Sequence, residues 1–175
     1  ANTEGDNNTA IGTLALSTNS TADNNTAVGH LTLQANTTGA NNVAVGTFSM
    51  DANTEGGDNT ALGRTSLSTN TTGGENVALG RSALASNLTG CKNVAVGASA
   101  LLLNTTNDNI AVGYQALEQN TSGTSNVAVG CGALESNTTA SDNVAMGKRA
   151  LGGTTTGCRN TAMGRTAMNS NTEGD

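Results

Sequence analysis

The chain has 175 residues, a net charge of −6, no Trp or Pro, and only Phe48 and Tyr114 as large aromatic side chains. That composition excludes a compact core built on large rings. Without a basic stripe, nucleic acid is excluded as a partner. No apolar run approaches the ~20 residues of a membrane-spanning helix, so no membrane span is expected.

The motif Asn-(Thr/Val/Ile)-Ala-(aliphatic or Met)-Gly occurs ten times. Its copies start at Asn8, Asn25, Asn42, Asn59, Asn76, Asn93, Asn109, Asn126, Asn143 and Asn160. The motif glycines recur at one constant step, as from Gly12 to Gly29 to Gly46, and only the step from Gly97 to Gly113 is a residue shorter. A fixed period that fills residues 1–175 predicts one repeat array. Strict phasing of the apolar residues separates it from a disordered Gly/Asn/Thr-rich linker. Residues 2–6 and 171–175 both read Asn-Thr-Glu-Gly-Asp, so the array is expected to be a segment of a longer fibre.

Taken in chain order, each repeat predicts four elements, as in the copy that starts at Asn109. Ile110–Val112 alternates β-branched or aliphatic residues around Ala111 and predicts a short strand. Gly113 follows, at a position that needs positive φ or close backbone approach. Ala116 to Asn120 predicts a second strand, with a small residue followed by Leu or Met in every copy. An Asn-Thr-Thr-Gly-type corner closes the repeat. A helix is disfavoured, because only ~8 residues separate these breakers.

Two short strands and two corners in every repeat predict an all-β fold, a parallel β-solenoid or β-roll of ten coils. Coils stacked at ~4.8 Å place like residues on like. Val, Leu and Met ladders are expected inside, with an amide ladder formed by the repeat-start Asn. The residue missing from the short step falls in the corner Asn104–Asp108, since a deletion in a strand would turn its side chains over. The interior is thin. The Ala phase (Ala10, Ala27, Ala44, Ala61, Ala78, Ala95, Ala111, Ala128, Ala145, Ala162) never changes. That uniform smallness is read as close approach of another layer or chain, and a homotrimer around a common axis is expected.

Asn42–Gly46 and Asn93–Gly97, both Asn-Val-Ala-Val-Gly, resemble the head repeats of trimeric autotransporter adhesins. The string Asn109–Leu117 followed by Asn120–Gly123 resembles repeats of phage and virus tail-fibre proteins and bacterial surface fibres. The resemblance spans the whole chain and implies a tight homotrimer, extracellular on a virion or a bacterial surface. The adhesin head repeat is shorter than the repeat of this chain, so the corners are expected to differ.

No catalytic set, cofactor-binding residues or metal site is predicted, and the chain is not expected to be an enzyme. His30 sits at a phase shared by Thr, Arg, Ala, Tyr, Cys and Lys, which predicts a solvated surface. Asp6, Asp23, Asp58, Glu75, Asp108, Asp142 and Asp175 precede repeat starts. One carboxylate per coil is few for calcium's six to eight oxygen ligands, so solvated corner charge is expected. Cys91, Cys131 and Cys158 are expected to be unpaired within the chain. Thr pairs at the corners raise ice binding, and Asn-x-Ser/Thr sequons at nine sites raise glycosylation, both ranked below simple corner chemistry. The function expected is a fibre shaft or adhesin segment that gives reach and rigidity for host or surface attachment. A self-stacking filament and an ice- or glycan-binding solenoid are the alternatives. Its partner would be itself, with a host glycan or receptor contacted through parts outside this segment.

Overall fold

The computed structural model describes residues 2–174. The fold is all-β. Ten three-residue strands, from β1 (Thr9–Ile11) and β2 (Thr26–Val28) to β10 (Thr161–Met163), stand in one sheet in chain order. Every neighbouring pair is parallel and couples equivalent residues, from Ala10 opposite Ala27 to Ala145 opposite Ala162. The chain is therefore a β-solenoid that makes nine turns between its first and last strands. Among the described residues, no helix is long and apolar enough to cross a membrane.

The strands form where the sequence alternates. Ala95 and its equivalents from Ala27 to Ala145 are fully buried, and their β-branched or aliphatic neighbours point outward. This corrects two expectations. Strand valines do not fill the interior: Val43, Val45, Ile110 and Val112 are 36–39% exposed. The Ala column is covered by another layer of its own chain, the Leu/Met column of the same core, where the sequence favours a second chain. A thin coil leaves room for a methyl at that level and for nothing branched.

The second strand is also corrected. Residues two and four after each motif glycine are left-handed, as at Gln115 (φ 55°) and Leu117 (φ 52°), so the segment is a run of turns. The Leu/Met column holds this conformation in all ten coils, with φ between 49° and 54°. For bulky side chains that costs ~1–2 kcal/mol per residue. The bend offsets the cost in two ways. It turns Leu33 inward to full burial, worth ~1.5–3 kcal/mol. It also aims the N–H groups along the fibre axis. Leu33 donates to the Ser49 carbonyl of the next coil at 3.1 Å, and Leu31 donates to the Thr13 carbonyl of the previous coil at 2.9 Å.

From Gly12 to Gly147 the motif glycines need both freedoms anticipated for them. Gly46 has φ 134°, and a Cβ there would lie 2.5 Å from the Gly63 carbonyl oxygen of the next coil.

Polar side chains fill the rest of the interior, in two buried amide ladders. In the repeat-start ladder, Asn59 Nδ2 donates to Asn42 Oδ1 at 3.1 Å. The second ladder uses the Asn that precedes each corner. Asn36 donates to Asn19 Oδ1 at 2.9 Å and Asn53 donates to Asn36 Oδ1 at 2.9 Å. Both ladders converge on the corner, where the Gly39 carbonyl accepts from Asn25 and from Asn36, each at 2.9 Å. These bonds satisfy corner backbone that so small an apolar core leaves uncovered.

Candidate functional site

Because alternation points every second strand residue outward, the solenoid carries a continuous strand face of two columns. One column is β-branched throughout: Thr9, Thr26, Val43, Thr60, Val77, Val94, Ile110, Val127, Val144 and Thr161. The other is Ile, Val, Leu or Met at every level, from Ile11 to Met163. Leu62 and Met146 are each 41% exposed. In-register pairing continues each column from coil to coil along the whole array. This largely apolar face continues through all ten coils. The sequence signal for it was the alternation around Ala, read with the wrong side inward.

The corners carry the residues considered for metal, ice or glycan chemistry. No group of three or more His, Cys, Asp or Glu able to hold a metal occurs among the described residues. Asp6, Asp23, Asp58, Glu75, Asp108 and Asp142 are spread over separate coils, and Asp175 lies outside the described residues. Asp58 takes part in a third, exposed ladder, in which Asn7 donates to Asn24, Asn24 to Asn41, and Asn41 to Asp58 at 3.1–3.3 Å. Asp23 Oδ1 accepts the Asp6 backbone N–H at 2.7 Å.

That last bond explains the cysteines. Cys91 and Cys158 occupy the same column as Asp23, and each sulfur accepts a backbone N–H from the coil before. Gly74 donates to Cys91 at 3.3 Å and Ser141 donates to Cys158 at 3.4 Å. The Ser141 hydroxyl does the same for Thr124 at 3.0 Å. No disulfide joins the three cysteines, and Cys131 is exposed.

The corner threonines spend their hydroxyl protons inside the stack. Thr37 donates to the Thr54 carbonyl at 2.9 Å, Thr71 to Leu88 at 3.0 Å, and Thr121 to Thr138 at 3.0 Å. Those hydroxyls serve coil-to-coil closure, which leaves fewer donors for ordered water or a sugar. Seven of the nine sequon asparagines are fully buried ladder residues (Asn19, Asn36, Asn70, Asn87, Asn104, Asn120 and Asn137), and only Asn7 and Asn24 are exposed. His30 is exposed and meets Phe48 edge to face, with ring centroids 5.6 Å apart.

No protein-family model matches the chain, and no significantly similar curated protein or solved structure was found.

Proposed function

We propose that the chain is a segment of an extracellular structural fibre, of the virion tail-fibre or bacterial surface type. It gives reach and stiffness to an attachment function. The role is architectural, not catalytic. The observation that carries this reading is the unbroken parallel register of ten equivalent strands. At ~4.8 Å per coil, ten coils extend ~48 Å. Backbone and amide bonds between coils run along that axis, so the polar cross-links lie in the direction in which a shaft is loaded.

The chain associates with two further copies through the strand face. A continuous apolar face along the whole length is the kind of surface that protomers of a fibre bury together. Each copy then brings one solenoid to a common axis, with the Thr- and Asn-rich corners on the outside. Light scattering on the soluble chain tests this. A mass three times 17.2 kDa is expected. Val45→Lys combined with Val112→Lys on the face should release monomers that keep their β-type circular dichroism. A stable monomer at micromolar concentration overturns the trimer.

A further inference from the structure

Seven Lys and Arg residues stand in this chain of net charge −6. Three of them, Lys148, Arg149 and Arg165, line one surface cleft of about 320 Å³, together with Tyr114, Gly132 and the single carboxylate Glu135.

The cleft exists because the repeat is broken in side-chain size. The column two residues after the motif glycine carries a side chain in nine coils and Gly132 in the eighth. A Cβ on Gly132 would sit 3.0 Å from Glu135 Oε2 and 3.3 Å from Arg149 Cγ, so a side chain there would enter the space between them. Beyond Arg149 and Glu135 lies a second depression of about 260 Å³, opened by Gly152 and Gly153. Their columns bear side chains in each of the other coils. Glycine therefore hollows the surface on both sides of Arg149.

Charge makes the hollow more than a gap. Lys148 and Arg165 are equivalent residues of adjacent coils, ~4.8 Å apart along the stack, and Arg149 adjoins Lys148. None of the three side chains makes an ion pair among the described residues. Like charges so placed repel, and an anion between them relieves the repulsion. Guanidinium forks bind carboxylate and sulfate oxygens in pairs. Tyr114, 52% exposed, lines the same cleft, and its side chain is the amphipathic type that suits a sugar face.

We propose that this cleft binds an acidic saccharide, whose carboxylate or sulfate is held by Lys148, Arg149 and Arg165 while a sugar ring lies against Tyr114. This deepens and rests on the attachment reading, because it gives the shaft a contact of its own with a glycan surface. Three cations opposed by Glu135 are too short a track for a nucleic-acid backbone.

Isothermal titration of the intact chain tests it, with four probes: a sulfated heparin-type tetrasaccharide, an oligogalacturonate, a neutral cello-oligosaccharide and a short single-stranded DNA. Saturable binding of one or both acidic saccharides is expected, with none of the neutral one. Which acid binds more tightly tells sulfate from carboxylate. Gly132→Gln fills the cleft with the residue that neighbouring Gln115 already places in this left-handed column (φ 55°). Arg165→Gln removes an exposed charge. Each should weaken binding at least tenfold; Arg165→Gln should melt within ~2 °C of the parent, whereas Gly132→Gln should melt a few degrees lower, because a side chain in left-handed backbone is strained. Failure of both acidic saccharides to bind overturns the proposal. So does binding that survives both substitutions, and so does single-stranded DNA binding as tightly as the saccharides. Light scattering on the same samples reports the trimer separately, so loss of the cleft reading and loss of the fibre reading are distinct results.

Discussion

The Asn87 side-chain oxygen is buried without a partner: the next residue of its ladder, Asn104, keeps the corner bond, to the Thr106 carbonyl at 2.9 Å, but not the ladder bond that Asn87 itself makes to Asn70 at 3.2 Å. Asn104 stands in the one shortened coil. In most other coils a corner glycine, three positions after the ladder Asn, supplies the carbonyl, as Gly90 does for Asn87 at 2.8 Å. Here that glycine is missing and Thr106 takes its place. Inserting Gly between Thr106 and Asn107 restores the full corner and lets Asn104 reach Asn87. Re-pairing a buried oxygen is worth ~1 kcal/mol, or ~2–4 °C in a chain of this size. Thermal melting decides it, and a variant that melts at or below the parent contradicts this account of the corner.

A second break in the same ladder yields an independent prediction. Asn137 Oδ1 is buried and unpaired because the next coil carries Thr154, whose hydroxyl donates to the Asn171 carbonyl at 2.8 Å. Thr154→Asn supplies the missing amide donor. Stability should rise by ~1 kcal/mol, read as a shift in denaturant midpoint at unchanged slope.

These breaks show which parts of the fold were legible in the sequence. Strand positions, motif glycines and the corner deletion are local signals, carried by alternation around Ala111 and by the residue count after Asn104. The second Asn ladder was equally visible, since nine of ten coils carry Asn at that phase, but it reads as generic turn chemistry. The left-handed columns were not legible. Their usual markers are Gly and Asn, yet here they hold Leu31, Phe48, Arg149 and the Leu/Met column. What sustains them is bonding to the coils above and below, a full repeat away in the chain, which no local window contains. The strand face was misread for a related reason. Hydrophobicity places Val inside, whereas the width of a single coil admits only Ala. The cleft at Gly132 is a difference between repeats, hidden by attention to what the repeats share.

Left-handed strain should be measurable at a half-buried position. Ser99 has φ 58° and donates its N–H to the Arg81 carbonyl at 3.0 Å. Thr65 and Thr166 hold the same conformation with their hydroxyls donated to the preceding carbonyl at 2.7 Å. Val has the branching without the hydroxyl. Ser99→Val should cost ~1–2 kcal/mol, whereas Ala98→Val next to it should melt within ~2 °C of the parent. Equal melting of the two variants would remove the strain argument.

Ala95→Leu should be far worse than His30→Ala. Ala95 is fully buried inside its own coil, between Ala78 and Ala111 in the sheet. A branched side chain there overpacks the facing Leu column, at ~1–3 kcal/mol per chain. His30 is exposed and loses only its edge contact with Phe48, so melting should stay within ~2 °C of the parent. A parent-like melt for Ala95→Leu would mean that the column has room which full burial denies.

Asp51 gives the chain a pH dependence of definite sign. Its Oδ1 is buried without a hydrogen-bond partner, and desolvation raises its pKa above the ordinary aspartate value of 3.8, against a smaller lowering by a backbone hydrogen bond. Between the ordinary value and the raised one, the folded chain binds more protons than the unfolded chain. Stability from this group is therefore present at acid pH and is lost as pH rises through the raised pKa. Asp51→Asn removes the charge and with it this slope. Relative to the parent, the variant should gain least below the ordinary aspartate pKa and most at neutral pH. Paired melts from acid to neutral pH measure the difference directly. A difference that stays constant across that range would mean that Asp51 ionises as freely in the folded chain as in the unfolded one.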